Sequence, residues 1–154
     1  MIPNFEQSVH TRLSGDGALS AIVTGGIYQH NLMALNKTSF SQVTAAIRNA
    51  TTGKFVPWVS VHGREVISTD EIRDNNYQYT TMEQTVEVWV IDDPTSAPTA
   101  SINAVNRIYT LLQHRPPTGA FQMELVYTDK MRDPDFANAR MTVTEWLITA
   151  YLGG

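Results

Sequence analysis

Apolar residues recur at helical spacing near the start of the chain. Phe5, Val9 and Leu13 are four residues apart, which places them on one face of a helix. The residues that follow break this pattern, and Asp16 is the expected N-cap of a second short helix over residues 17–23. The sequence TGG then ends that helix. The chain is therefore predicted to begin with two short helices or one broken helix.

A third helix is predicted over residues 38–52. Ser39 and Gln42 have the spacing of a capping box, and apolar residues recur at helical intervals from Phe40 to Ile47. A fourth helix is predicted before the sequence HRPP, with Ser96 or Thr99 as its cap. Its buried stripe is expected to consist of Ile102, Val105, Ile108 or Tyr109, and Leu112.

Alternation of apolar and polar residues predicts the strands. It is clearest in residues 83–93, EQTVEVWVIDD, and it returns in residues 121–127 and 145–152. The earlier run KFVPWVSVHG is rich in β-branched and aromatic residues, but Pro57 lacks the amide that a central strand needs, so an edge position or a bulge is predicted.

Residues 63–82 are polar and without sustained periodicity, which predicts a long loop. Loops of this length are usually functional or mobile.

The order of elements predicts an α+β fold, with a mostly antiparallel sheet and helices packed on one face. A chain of 154 residues fits one domain, so a single domain over residues 1–154 is expected, with a helical insertion near 38–52 and the polar loop near 63–82.

The composition argues against several classes of function. The formal net charge is −4 and the eleven Lys and Arg are scattered, which argues against specific nucleic-acid binding. The absence of cysteine excludes disulfides, thiolate metal sites and a cysteine nucleophile. The amino terminus lacks a basic start followed by an apolar core, and no apolar run is long enough to span a bilayer. A protein with no export signal and no membrane contact is expected.

The densest polar chemistry lies in the stretch TDKMRDPDFANARMTV. Asp129, Asp133 and Asp135 could bind Mg²⁺ or Ca²⁺ through oxygen ligands, but their spacing does not match an EF-hand loop. The sequence DPD is also typical of a turn, because proline fixes its dihedral and aspartate accepts backbone amides. A charged turn between two strands is favoured over a metal or acid–base site.

The remaining candidate residues give no catalytic pattern. The four histidines lack metal-ligand spacing, and no nucleophile elbow, P-loop or dinucleotide fingerprint is present. Trp89 and Trp146 alternate within predicted strands and are expected in the core or in a subunit contact. Trp58 follows Pro57 on the predicted edge and is the best candidate for a contact outside the protomer. No cofactor is implied.

Several segments together resemble the tail terminator, or tail-completion, family of tailed phages. They are LSGDGALSAIVTGGIY, FVPWVSVHG, TVEVWVIDD, ASINAVNRIYTLLQ and MRDPDFANARMTVTEWLITAY, and they cover most of the chain. The resemblance lies in their order and spacing, since the family has no catalytic signature. The predicted insertion near 38–52 and the length of the polar segment at 63–82 depart from the usual pattern.

The resemblance implies a structural virion protein with no enzymatic activity. Such proteins are α+β, form a hexameric ring at the head-proximal end of a non-contractile tail, stop growth of the tail tube and join the tail to the neck. The implied partners are further copies of the chain, the tail tube protein and the head-completion or neck protein. DNA passes through the lumen without specific binding, and the location is the virion after synthesis in the host cytoplasm.

A cyclic ring needs heterologous contacts, in which one patch meets a different patch on the next copy. Candidate residues for these contacts are Trp58, Arg64, Glu65, Arg73, Arg132, Asp133, Asp135 and Arg140. Three alternatives remain open at this point: another neck or tail-tube subunit, a small metal-dependent enzyme that uses Asp129, Asp133 and Asp135, and a scaffold or binding module unrelated to phages.

Overall fold

The computed structural model describes residues 4–29, 46–73, 77–132 and 139–152. Within them the order of elements is α1 (Glu6–Ser14), α2 (Gly17–Ile22), β1 (Ile27–Gln29), β2 (Trp58–Arg73), β3 (Tyr77–Asp92), α3 (Thr99–Leu112), β4 (Gln122–Arg132) and β5 (Arg140–Leu152). The strands form one sheet in the order β1-β2-β3-β5-β4. All neighbours are antiparallel except β1 and β2, which confirms the predicted α+β class.

The main core lies between the helices and one face of the sheet. Phe5, Val9 and Leu13 of α1 are buried there, as the four-residue spacing predicts. The sheet contributes the alternating residues Val86, Val88 and Val90 of β3 and Trp146, Ile148 and Ala150 of β5, all of which are buried. None of the helices described by the structure is long and apolar enough to cross a membrane.

The two amino-terminal helices are held by specific polar contacts. The Asp16 carboxylate accepts the Leu19 amide at 2.8 Å, so it is the N-cap of α2 as predicted. The same carboxylate accepts two hydrogen bonds from the Arg107 guanidinium of α3, at 2.9 and 2.6 Å. The bonds from Arg107 and Leu19 lower the pKa of Asp16 to about 2. Asp16 therefore joins α2 to α3 as an ionised group.

Helix α1 approaches β2 closely at Gly63. A Cβ atom at this position would lie 2.8 Å from both Cβ and Oε2 of Glu6, so a larger residue would push the helix away. The Gly63 amide donates to Glu6 Oε2 at 2.5 Å. The pairing of β2 with β3 shifts register between Gly63 and Val66, next to this contact.

The prediction of a long loop over residues 63–82 is wrong. Residues 63–73 continue β2 and residues 77–82 belong to β3, so the two strands form a long antiparallel hairpin. Its backbone groups are satisfied by each other, which requires no apolar periodicity in the side chains. A polar and aperiodic sequence is therefore compatible with a strand pair.

The predicted edge position is wrong for Val59–Val61, and Pro57 lies before the strand rather than at a bulge within it. Strand β2 begins at Trp58, directly after Pro57, and Val59–Val61 are paired with β1 on one side and β3 on the other. Pro57 lies outside the ladder, so its missing amide costs no sheet hydrogen bond. The Pro57 carbonyl accepts the Gly25 amide at 2.9 Å, which brings the chain before β1 against the start of β2.

The predicted helix over residues 38–52 falls largely outside the described residues. Residue 46 is helical, and from residue 47 onward the chain forms turns, with an isolated bridge between Arg48 and Phe55. The Asn49 side chain accepts the amides of Thr51 and Thr52, which stabilises this turn.

Helix α3 is present where predicted but is rotated relative to the predicted stripe. Its buried residues are Ser101, Ala104, Ile108 and Leu112, whereas Ile102 is 48% exposed. Neither Ser96 nor Thr99 caps it, because the N-cap is Pro98, which has no side-chain hydrogen bond. Ser101 instead donates to the Pro98 carbonyl at 3.0 Å.

Candidate functional site

The second face of the sheet, opposite the helices, has two different parts. At one end it is covered by residues 47–58, and a second apolar cluster forms there from Ile47, Phe55, Trp58, Ile91, Ala139, Met141 and Val143. Beyond this cluster the described residues leave the face open. We call this uncovered part the open face.

Carboxylates dominate the open face. They belong to Glu83 and Glu87 of β3, Glu124 and Asp129 of β4, and Glu145 of β5. The four glutamates each follow or precede a residue that points into the main core, so the two-residue period of a strand directs them to the opposite side. Asp129 lies opposite Val143, whose side chain is on that same side. Arg64 is the cation that the described side chains place among them. The open face therefore carries a net negative charge.

A polar network crosses the centre of the open face. His62, Glu87, Glu145 and Tyr127 lie opposite one another on β2, β3, β5 and β4. The Arg64 guanidinium donates to Glu87 Oε1 through Nε at 2.9 Å and through Nη2, and Nη2 also reaches Glu145 Oε1 at 3.4 Å. One arginine thus bridges two carboxylates that would otherwise repel.

Trp89 and His62, the aromatic residues of this network, further fix the position of the Glu87 carboxylate. Trp89 Nε1 donates to Glu87 Oε2 at 3.0 Å, and the His62 ring stacks on the Trp89 ring with centroids 3.7 Å apart. His62 Nε2 lies 2.9 Å from the Ser60 hydroxyl. Both carboxylate oxygens of Glu87 and the plane of Trp89 are consequently fixed.

The pKa values of Glu87 and Glu145 shift in opposite directions. Burial opposes ionisation of Glu87, but hydrogen bonds from Arg64, Trp89 and Glu145 outweigh it, so the pKa of Glu87 is lowered. Burial, the hydrogen bond with Glu87 and repulsion from Glu87 raise the pKa of Glu145, and Arg64 only partly offsets them. When one proton is shared between the pair, Glu145 holds it.

Replacing Glu145 by glutamine is expected to stabilise the protein at neutral pH. The raised pKa of Glu145 means that its contribution to stability is fully present below the ordinary carboxyl pKa and is lost as pH rises through the raised value. Glutamine mimics the protonated form, so Glu145→Gln should gain about 0.5 kcal/mol near pH 7 and nothing near pH 4, the size expected for like charges opposite each other. Urea unfolding at both pH values measures this.

Glu83→Gln is the matched control, because Glu83 lies on the same face opposite Ile67 and Thr149 rather than opposite a carboxylate. Equal gains for the two variants near pH 7 would show that general charge reduction is responsible, and the specific repulsion between Glu87 and Glu145 would then be rejected.

The contacts around the predicted residues favour structural roles for two of them. Arg140 makes a two-pronged ion pair with Asp92, at 2.8 and 2.6 Å, and Asp92 is only 2% exposed. Trp58 is 4% exposed and packs edge-on against Tyr28, so it does not offer its ring to another molecule. Trp58 was expected on an edge strand, but its ring is buried in the second apolar cluster, beneath Ile47 and Phe55.

The other predicted contact residues that the structure describes lie on β2 and β4. Arg64 is exposed and bridges Glu87 and Glu145, and Glu65 is exposed at the register shift of β2. Arg73 and Arg132 lie at the last positions of β2 and β4, opposite Tyr77 and Arg140 in the ladders. Asp133 and Asp135 lie outside the described residues, so the aspartate triplet stays untested as a unit.

The described residues give little support for a metal site or for a catalytic nucleophile. Asp129 accepts the Tyr127 hydroxyl at 2.6 Å, and no group of three or more His, Asp or Glu in the described part is arranged to hold a metal ion. Ser60 and His62 resemble a nucleophile–base pair in distance alone. Ser60 is only 3% exposed, so its hydroxyl is closed to a substrate.

The network around Glu87 was missed in the sequence. The row of His62, Glu87, Glu145 and Tyr127 comes from four strands and spans 83 positions of the sequence, and only the register brings these residues together. The available signal was the alternation itself, which assigns Glu87 and Glu145 to the face away from the valines.

Comparison with known proteins identifies a fold but no family. No protein-family model matches the sequence, and no curated protein matches it. Among solved structures, a chain from the "virion of native gene transfer agent (GTA) particle" is similar with a TM-score of 0.57 and 15% sequence identity, over 96% of this chain and 95% of that chain. At this identity the similarity shows that the two chains share a fold over nearly their whole length.

Proposed function

We propose that this protein is a structural subunit of a phage-like particle, and that within it the protein is the tail terminator. Six copies would form a ring at the head-proximal end of the tail, end growth of the tail tube and join the tail to the neck. The observation that carries the proposal is the similarity of fold, over nearly the full length of both chains, to a chain of a gene transfer agent virion. The sequence resemblance described above supports the same role independently.

The charge of the open face agrees with this role. DNA that leaves a capsid passes through every ring between the head and the tail tip. A channel wall rich in Lys and Arg would bind phosphates by releasing counterions, and would slow the passage. The open face offers Glu83, Glu124 and Asp129 at its surface instead. We therefore assign the open face to the channel, and the helices α1, α2 and α3 to the outside of the ring.

Stoichiometry on purified tails tests the role. The protein is mixed with tail tubes that lack a terminator, and the product is analysed by native mass spectrometry and cryo-electron microscopy. The expected result is one six-membered ring at one end of each tube. Decoration along the whole tube would identify a tube subunit, and a twelve-membered ring on the portal without a tail would identify a neck subunit. Either result would reject the terminator role.

A matched pair of charge variants tests the assignment of the open face. Glu83→Lys introduces a cation on the open face, whereas Gln7→Lys introduces one on the exposed side of α1. Both should form rings, but only Glu83→Lys should slow DNA release from reconstituted particles, with a delay that shortens as salt is raised. Slower release with Gln7→Lys alone would place the helices at the channel.

A further inference from the structure

A polar groove lies on the helix side of the molecule, between α1 and the loop that joins α3 to β4. Its volume is about 570 Å³, and it is lined on the α1 side by Asn4, Gln7, Ser8, Thr11 and Arg12 and on the loop side by Thr118. Of the described residues that line it, Arg12 is the charged one and the others are neutral. We call it the α1 groove. Its charge is therefore opposite in sign to that of the open face.

The Arg12 guanidinium is held in place by the backbone of the loop. It donates through Nη1 to the Arg115 carbonyl, and Nη2 lies 3.5 Å from the carbonyl oxygen of Pro116. Both acceptors are neutral, and the ion pairs found among the described residues do not include Arg12. Arg12 therefore keeps its full positive charge at a fixed position in the groove.

Arg115 places a second cation beside the first. Its side chain is exposed, and it too is absent from the ion pairs of the described residues. Burial and repulsion from Arg115 lower the pKa of Arg12. Two guanidinium groups that repel each other, with no described carboxylate between them, attract an anion.

The neutral residues of the groove supply further hydrogen-bond donors. Ser8 and Thr11 are exposed on α1 and carry hydroxyl groups. Asn4 Oδ1 already accepts the Glu6 amide and Gln84 Nε2, each at 3.0 Å, which leaves the Asn4 Nδ2 group as a donor. Guanidinium groups flanked by neutral donors suit carboxylates, which accept several hydrogen bonds at once.

The size of the groove and its number of cations narrow the class of ligand. A volume of about 570 Å³ exceeds the space that a single ion needs and is in the range of sites for larger ligands, roughly 300–1,000 Å³. A nucleic-acid backbone is bound by a row of cations that follows its phosphates, whereas the groove has Arg12 and Arg115. An acidic peptide, whose carboxylates are separated by neutral backbone groups, matches both observations.

We propose that the α1 groove binds an acidic peptide segment of another protein. Carboxylates of the segment pair with Arg12 and Arg115, and its remaining polar groups bond to Asn4, Ser8 and Thr11. The proposed function places this side of the chain on the outside of the ring, where a neighbouring protein of the particle can reach it. Binding of the peptide in solution does not require the ring.

Fluorescence anisotropy with the intact protein tests the site. The probe is a short labelled peptide of alternating glutamate and serine, and its control has glutamine in place of each glutamate. We expect saturable binding of the acidic peptide that weakens as salt is raised, and no binding of the glutamine peptide. No binding of either peptide would overturn the proposal. Tighter binding of a single-stranded oligonucleotide than of the acidic peptide would identify a phosphate site and would overturn it as well.

A matched pair of variants locates the binding. Thr11→Glu places a carboxylate in the groove and should weaken binding of the acidic peptide about fivefold, because like charges a few ångströms apart repel. Thr110→Glu makes the same change at an exposed position of α3 outside the lining and should leave binding unchanged. Gln7→Lys should strengthen binding. These variants leave Arg12 and its contacts to the loop intact. Equal weakening by Thr11→Glu and Thr110→Glu would show that net charge governs binding, and would overturn the α1 groove as the site.

The failure of this site can be distinguished from the failure of the ring. Rings seen by mass measurement, together with no binding of the acidic peptide, would overturn the groove and leave the terminator role standing. Peptide binding that Thr11→Glu weakens, in a protein that never forms rings on tail tubes, would support the groove and count against that role.

Discussion

Replacing Arg140 by alanine is expected to destabilise the protein by about 3 kcal/mol, as is typical when one partner of a buried ion pair is removed. The Asp92 side chain is almost fully buried, and Arg140 supplies two hydrogen bonds to it from the neighbouring strand. Without the guanidinium, the buried Asp92 carboxyl group would lose both hydrogen bonds that Arg140 donates to it. Arg140 also donates to the Ser96 carbonyl at 3.3 Å, so the turn before α3 loses a contact as well.

Urea unfolding of Arg140→Ala, of Asp92→Asn and of the double variant measures this effect. The double variant should be more stable than Arg140→Ala alone, because it removes the uncompensated charge. Arg115→Ala is the control, since it deletes an exposed arginine and leaves in place the carbonyl that accepts from Arg12. If Arg140→Ala were as stable as Arg115→Ala but defective in ring formation, Arg140 would be a subunit contact and not part of the fold.

Replacing Gln84 by alanine is expected to cost about 3 kcal/mol, because it creates a cavity and leaves buried polar groups without partners. Gln84 is 1% exposed on the helix face of β3. Its Oε1 accepts the Phe5 amide at 2.7 Å, and its Nε2 donates to Asn4 Oδ1 and to the Arg64 carbonyl, each at 3.0 Å. One amide side chain thus fastens the start of α1 to two strands.

Two further variants distinguish the loss of hydrogen bonds from the creation of a cavity. Gln84→Met keeps most of the volume but cannot make the hydrogen bonds, so its loss of stability reports the polar part. Gln122→Ala removes an exposed glutamine from β4 and should change stability little. Proteolysis near residue 13 should become faster in Gln84→Ala than in Gln122→Ala. Equal stability of these two alanine variants would contradict the anchoring role of Gln84.

The parts of the fold that could be predicted from sequence are those in which one face is buried. Val86, Val88 and Val90 alternate with polar residues because β3 has the helices on one side, and Trp146 and Ile148 alternate for the same reason. The spacing of Phe5, Val9 and Leu13 follows from a helix that lies on that sheet. In these segments local pattern and tertiary packing agree.

The β2–β3 hairpin was not predicted because residues 63–82 show no sustained apolar alternation. Their pairing is defined by the ladder between β2 and β3, in which backbone hydrogen bonds impose no choice of side chain. The orientation of helix α3 could not be predicted from the sequence either. Its apolar stripe has two possible orientations, and the choice of Ala104 over Ile102 for the core depends on how closely the helix approaches the sheet.

The candidate site could be predicted only in part. Its acidic character is visible in the sequence, since Glu87, Glu124 and Glu145 each alternate with inward residues. The bridging of Glu87 and Glu145 by Arg64 depends on the register of three strands and on the shift after Gly63. Arg140 was expected at a subunit contact because its sequence surroundings are charged, but its partner Asp92 lies 48 residues earlier and becomes visible only in the folded chain.

The anchoring of α1 has a consequence for the order in which the chain acquires its structure. Helix α1 has nine residues, which is too short to be stable alone in water. Its polar anchors lie far along the chain, with Gln84 79 residues after Phe5 and Gly63 57 residues after Glu6. At ordinary translation rates the ribosome needs about 4 to 16 s to make that intervening stretch. During this interval Phe5, Val9 and Leu13 have no sheet to pack on, so the amino-terminal segment is the part of the nascent chain that a chaperone would hold.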